Sequence, residues 1–383
     1  MKPKILCLYG NALYYGHERS NIQVFKTLKE LNFNILVLTN KTGIAPEALN
    51  TLDKCSIDHE RILYPNWMDI RKPHSLIKIC KYLFKVLFHN IQFISKYIKH
   101  KPDYIYIAND FMYLNLIPAF ILVPSRIVYR IGDAPLVGWA PFKYAWKNYI
   151  AHRTYRFICI SQFIKNKIED AGRSKVEKDV IIYNYPPVRH HIETVSKINY
   201  IKTGITFSYL GQLIHSKGVH LIIDAAIHVC HKFPGVNFLI AGSLDYDKEY
   251  SSELVRKVRN AKLEERIYFA GAIGNTEDLF TKTDVIITPS LKEEPLGNVI
   301  VEAKSCSTPS IIFNSGGMPE LINHKQNGYI CQESTKEDLI CAIEYYIKDP
   351  ENIAVHGSNA LNSINELKIN YQHFRDNWCY AFT

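Results

Sequence analysis

The chain has no cysteine pair at a spacing that suits a metal site or a redox couple. Cys7, Cys55, Cys80, Cys159, Cys230, Cys306, Cys331, Cys341 and Cys379 are scattered along it. Nine is an odd number, and most fall in segments that read as strands or helices. The expectation is therefore reduced, buried thiols in a cytoplasmic protein, not a disulfide framework. No run reaches the roughly 18 uncharged apolar residues of a membrane span. The apolar start at residues 5–9 is too short for a signal peptide. Short-period repeats and low-complexity tracts are also lacking. A net charge of +9 suits an anionic small molecule, an anionic lipid or nucleic acid. No clustered Arg/Lys stripe with interleaved aromatics accompanies it, so a nucleic-acid-binding reading ranks last.

What is present is a globular composition, 47% hydrophobic and 22% charged, over 383 residues, a length that suits two domains. Residues 5–9 read as a buried strand, 10–16 as a glycine-bearing turn, 17–31 as a helix and 34–39 as the next strand. Further strands are expected at 61–64, 104–107, 126–129 and 157–160, with one long helix over 75–99. This β–turn–α–β order predicts a parallel doubly wound sheet. A second such unit opens with a strand at 205–210. Helices follow at 219–232 and 250–261, strands at 237–241, 266–270 and 284–288, and helices at 337–346 and 371–382. The predicted division is a first domain over 1–187, a linker over 188–203, a second domain over 204–365 and a C-terminal helix in 366–383.

Glu294 and Glu302 stand at the centre of the second half. Pro295, Leu296 and Gly297 turn the chain from the preceding strand into a short helix that starts near Asn298. Glu294 then lies just outside the helix N-terminus, and Asn298 and Glu302 share one face at i, i+4. Free N–H groups of a first helical turn suit phosphate. Carboxylates repel phosphate, so the two glutamates suit hydroxyl groups. A molecule with a central pyrophosphate and hydroxylated rings at both ends fits, and a nucleotide-diphospho-sugar is such a molecule.

The Glu294/Glu302 spacing resembles the Glu-x7-Glu signature of family-4-type retaining glycosyltransferases. The rest of the half is similar to that family in order: Gly211 with Lys217 and Gly218, the strand ends at Gly242 and Gly271, then Gly316, Gly317, Pro319 and Glu320. The resemblance implies the α/β GT-B fold, two Rossmann-like doubly wound domains facing a central cleft, with the last helix crossing back to the first domain. It implies transfer of a sugar, with retained configuration, from a nucleotide-diphospho-sugar to an acceptor hydroxyl. The setting would be cell-surface polysaccharide, lipopolysaccharide or glycolipid assembly, with a glycan or lipid-linked acceptor. No cofactor is expected beyond the donor substrate. By the same resemblance Glu302 takes the ribose hydroxyls, Glu294 the donor sugar, and Gly297 and Asn298 offer amides to the β-phosphate. Lys217 reaches the departing diphosphate. Leu296, Gly211, Gln212 and Gly242 complete the donor side, and Gln212 stands where relatives carry arginine. A nucleotide-sugar 2-epimerase of the same fold is the alternative.

In the first half, Gly16, His17, Glu18 and Arg19 resemble the family's glycine loop, although Tyr15 replaces a second glycine. Asp133 follows a strand where relatives place a histidine or aspartate near the acceptor; capping a helix is its competing use. Asp245 and Asp247 form a literal Asp-x-Asp, a metal-holding motif elsewhere. Their polar loop setting beside Lys248 argues for solvated side chains, so no metal is expected. His190 and His191 lie in the linker at no ligand spacing.

The long helix at 75–99 is apolar over more of its circumference than one covered face needs. Lys78, Lys85, Gln92 and Lys99 recur every seven residues, with Lys81, His89 and Lys96 in the same stripe. Two readings compete: a basic stripe at the anionic inner face of a membrane, with flanking Phe and Tyr dipping in, or a sandwiched helix whose lysines reach out to water.

Overall fold

The structure is a computed structural model, and it describes residues 2–10, 16–41, 43–65, 75–138, 140–174, 176–186, 198–200 and 202–383. His190 and His191 and most of the expected linker lie outside them. The chain divides into two compact units, one comprising 1–183 with 372–383 and the other 184–371. The observed division differs from the expected one: residues 184–186 belong to the second unit, which runs on to residue 371.

The first unit carries seven strands: β1 (Lys4–Tyr9), β2 (Asn34–Asn40), β3 (His59–Ile62), β4 (Tyr104–Ile107), β5 (Arg126–Ile131), β6 (Arg156–Cys159) and β7 (Val180–Ile181). They form one parallel sheet in the order β3-β2-β1-β4-β5-β6-β7. Strands covered by helices on both faces need apolar residues at successive positions, and β1 and β4 supply them with Ile5, Leu6, Cys7, Leu8, Tyr104, Ile105 and Ile107, all buried. β3 lies two residues earlier than the expected 61–64, because its ladder to β2 starts with His59 opposite Val37. The helix Asp110–Leu122 was not legible: it is apolar all round, so it shows no helical period.

The second unit holds β8 (Ile205–Leu210), β9 (Val236–Ala241), β10 (Ile267–Gly271), β11 (Val285–Thr288), β12 (Ser310–Phe313) and β13 (Gly328–Cys331). Their parallel order is β10-β9-β8-β11-β12-β13. In each sheet the chain steps outward from its first strand, then returns and builds the other half. The reversal falls between β1 and β4 and between β8 and β11. At such a switch point the loops leaving two neighbouring strands part in opposite directions and leave a crevice beyond the strand ends.

The helix Tyr371–Ala381 follows the second unit in sequence, yet from residue 372 it counts with the first. Its Trp378 ring lies 5.8 Å from Tyr106, and Phe382 lies 5.4 Å from Tyr104 and 6.0 Å from Phe33. Arg156 donates to the Tyr380 carbonyl and stacks over its ring. The cysteines are all free, but they are not all buried: Cys80 and Cys341 are exposed. Each sits on the outer side of a helix whose inner face is already filled.

Candidate functional site

Of the polar residues singled out in the second half, Lys217 and Glu294 meet at the β8/β11 switch point. After β8 the chain turns at Gly211 and makes a short 3-10 turn, His215–Lys217. After β11 it runs through Pro289 and Ser290 to Glu294 and into the helix Asn298–Ser305. The two loops are stitched by main chain: Leu291 N–H donates to the Ser216 carbonyl at 2.9 Å. Lys217 Nζ then donates to Glu294 Oε1, and Ser290 Oγ donates to the same oxygen at 2.7 Å. Lys217 and Glu294 thus form an ion pair in which each compensates the other's charge.

Main-chain contact fixes this geometry. A Cβ on Gly316 would lie 2.1 Å from the Glu294 carbonyl oxygen, and the Gly317 N–H donates to that oxygen at 2.7 Å. Gly316 also has φ +63°, so any side chain there is strained as well as blocked. A Cβ on Gly218 would meet the Pro289 carbonyl at 2.0 Å. Beyond β9, Gly242 and Gly211 approach as closely, with Gly211 N–H donating to the Ala241 carbonyl at 3.0 Å.

The helix Asn298–Ser305 starts from Gly297, and no side chain caps it. An N-terminus without a side-chain cap is the arrangement that leaves its N–H groups for an anion. Asn298 does not cap; its side-chain oxygen accepts from Asn184 Nδ2 at 2.8 Å. Asn184 is buried and positions Asn298, a role the sequence could not show because the two are more than a hundred residues apart. Leu296 is buried beneath the turn. Glu302 is half-buried on the same helix. Lys304 is fully buried there and donates to Ser363 Oγ at 2.7 Å, tying the helix to Glu351–Glu366; burial lowers its amine to about 8. Gln212 is half-buried, and its carbonyl accepts from the Tyr209 hydroxyl at 2.8 Å. Burial, and next the Glu294 carboxylate, raise the Tyr209 phenol. Asp247 caps the helix Lys248–Asn260 by accepting from Tyr250 N–H at 3.1 Å, and exposed Asp245 pairs with Lys248.

The first unit gathers a different set at its β1/β4 switch point. Gly16 opens the helix Gly16–Glu30, and Tyr15 lies outside the described residues. His17 Nε2 is 3.0 Å from the Ala108 carbonyl, just past β4. Its imidazole is lowered chiefly by burial, then by Arg130. Arg130 is buried and donates to Asn21 Oδ1 at 3.3 Å, so it supports the floor. Asp133 is exposed beyond β5. Sequence reasoning missed Asp110, which follows β4 and accepts from the Tyr129 hydroxyl. Burial, with Asp133 nearby, raises its carboxyl to about 8. Its signal, an acid three residues past the end of β4, was lost because it opens the helix Asp110–Leu122, which shows no helical period.

Two parallel-sheet α/β units of seven and six strands define the GT-B class of architecture, which a solved glycosyltransferase shares. Residues 192–362, which fall within the second unit, match the family described as Glycosyl transferases group 1. A glycosyltransferase from Rickettsia africae ESF-5 superposes with a TM-score of 0.79 at 18% identity, over 99% of this chain and 98% of that one. Anabaena Alr3699/HepE, solved in complex with UDP-glucose, gives 0.74 at 22% identity, over 98% of this chain and 99% of that one. In sequence the chain is similar to the putative glycosyltransferase YtcC of Bacillus subtilis (strain 168), 27% identical over 224 residues, 54% of this chain and 55% of that protein. The chain thus spans about half the length of that curated relative.

Proposed function

We propose that the chain is a family-4-type retaining glycosyltransferase that needs no metal. It moves a sugar from a nucleotide-diphospho-sugar to an acceptor hydroxyl in cell-surface polysaccharide, lipopolysaccharide or glycolipid assembly. The carrying observation is the Lys217–Glu294 pair beside the side-chain-free start of the helix Asn298–Ser305. The group 1 domain supports the reading, as does the UDP-glucose held by the similarly folded HepE.

In this reading Glu302 holds the ribose hydroxyls, while Gly297 and Asn298 amides and Lys217 hold the diphosphate. As the bond from the anomeric carbon to the phosphate oxygen breaks, negative charge gathers on the β-phosphate. Donors already fixed around that position stabilise it without reorganising. The acceptor hydroxyl attacks from the face the phosphate leaves, and its proton passes to the departing phosphate. Glu294 orients the sugar, and Asp133 orients the acceptor. Asp245 and Asp247 are engaged in an ion pair and a helix cap, which favours a reaction without a metal on them. The acceptor is a glycan or a lipid-linked molecule at the inner face of the membrane. Among the described residues no helix is long and apolar enough to cross one.

A thermal-shift panel of nucleotide sugars tests the donor, since a bound donor stabilises by mass action, about 2.7 kcal/mol at a hundredfold excess over Kd. Turnover of the donor that binds should survive EDTA. Loss on chelation, restored by manganese, overturns the metal-free reading. Isomerisation of the donor without any acceptor moves the assignment to a 2-epimerase.

A further inference from the structure

We infer that the helix Leu76–His100, with the end of the helix Asp110–Leu122, is a surface that docks on an anionic lipid bilayer through its apolar face. The inference rests on the membrane-side part of the proposal above. It is independent of the transfer chemistry.

Buried polar bonds set which face points outward. Tyr82 OH donates to Asn115 Oδ1 at 2.7 Å, Asn90 Nδ2 to the Asn115 carbonyl at 2.8 Å, and Ala119 N–H to Asn90 Oδ1 at 2.8 Å. Phe93 packs edge-on against Phe120 at 5.4 Å. Near the far end Lys96 and Lys99 pair with Glu60, and Tyr97 OH donates to the Pro124 carbonyl at 3.1 Å. These anchors fix Tyr82, His89, Asn90 and Phe93 inward, leaving the most apolar arc of the helix facing out. Ile77, Phe84 and Ile98 are 66%, 68% and 63% exposed, with Leu87 and Ile91 between them. Leu122, 71% exposed, lies two residues before the Pro124 that Tyr97 holds, so the patch runs onto the second helix. Single exposed apolar residues are ordinary; a continuous ridge along 25 residues is not.

Charge selects the occupant. The helix Leu76–His100 contains no acidic residue, and exposed Lys78 and Lys81 border the ridge. A second copy across a two-fold axis would bring these lysines toward their own like charges, and interface cores are depleted in lysine. A bilayer surface accepts both parts at once, apolar side chains below the headgroups and ammonium groups among the phosphates. Of the lysine stripe, Lys78 and Lys81 stay exposed beside the ridge, while Lys96 and Lys99 at the far end pair with Glu60.

The test is cosedimentation of the full chain with vesicles of phosphatidylcholine plus phosphatidylglycerol, against phosphatidylcholine alone, with light scattering for oligomeric state. Wild type should partition to the anionic vesicles. Phe84→Ser with Ile91→Ser should lower that partition by about tenfold or more at unchanged melting temperature. Lys78→Glu with Lys81→Glu should lower it by about tenfold and abolish the preference for anionic lipid. No partition, or equal partition of wild type and the apolar variant, overturns the inference. A dimer that the apolar variant dissociates, without lipid binding, assigns the ridge to a second copy and overturns it too. Donor stabilisation measured on the same preparations separates the two readings: donor binding without vesicle binding removes only the surface, and the reverse removes only the transferase.

Discussion

The two strand-end crevices are built by different means. Around β8 and β11, glycine meets main chain: Gly316 on Glu294, Gly218 on Pro289 and Gly242 on Gly211, with Cβ positions 2.0–2.2 Å from carbonyl oxygens. Around β1 and β4, Gly132 meets the His17 side chain, at 3.1 Å, although Gly10 does approach the Asn40 main chain at 2.8 Å. Carbonyls locked into strand-end turns cannot retreat, whereas an imidazole can rotate. In the proposed reading, the second unit's crevice takes pyrophosphate and ribose, groups that every nucleotide sugar shares, and fixed main chain suits them. A pocket for a particular acceptor suits side chains that differ from one enzyme to another. Each unit also buries a basic side chain. Arg130, whose guanidinium stays charged, holds Asn21, and Lys304, which titrates, holds Ser363.

The comparison predicts a graded set of outcomes. Gly316→Ala should be the most damaging, because left-handed backbone strain adds to a collision with main chain. Loss of at least about 2 kcal/mol is expected, read as a lower melting temperature and donor affinity weakened more than tenfold. Lys304→Met comes next. The folded amine titrates at about 8 against 10.5 for an ordinary lysine, so between those values the unfolded chain binds more protons and stability rises with pH. Below 8 the folded protein carries a buried charge. The methionine variant should be more stable at neutral pH by about 1–3 kcal/mol and should lack the rise between pH 8 and 10.5, as followed by urea unfolding across pH. Gly132→Ala should be mildest, below about 1 kcal/mol, because His17 can give way. An effect as large as that of Gly316→Ala would erase the distinction between the two crevices.

Legibility in the sequence follows the same division. The helices after β8 and β9 and the strands β8 to β11 were visible because short apolar runs alternate with glycine turns, whereas β13 (Gly328–Cys331) was not among the expected strands. Glu294, Gly297 and Glu302 were visible because their spacing is local. Asn184 on Asn298 and Lys304 on Ser363 were not, since each joins segments far apart in sequence. In the first unit, the outward face of Leu76–His100 was ambiguous for a physical reason: a helix apolar on most sides does not say which side is covered. Asn90 and Asn115 decide it through buried bonds that no periodicity records. Asp110 stayed hidden beside a helix without a polar face.

The most direct test of the donor site pairs Glu294→Gln with Glu302→Ala in steady-state kinetics and nucleotide binding, using the donor that stabilises the protein. Glu294→Gln should cut kcat by about a hundredfold, with nucleotide Kd changed only a few-fold, since the bond it weakens matters as the sugar departs. Glu302→Ala should mainly raise nucleotide Kd, by about ten- to a hundredfold for loss of a hydrogen bond to a charged group. Wild-type kinetics and nucleotide affinity in both variants would contradict the assignment of this crevice as the donor site.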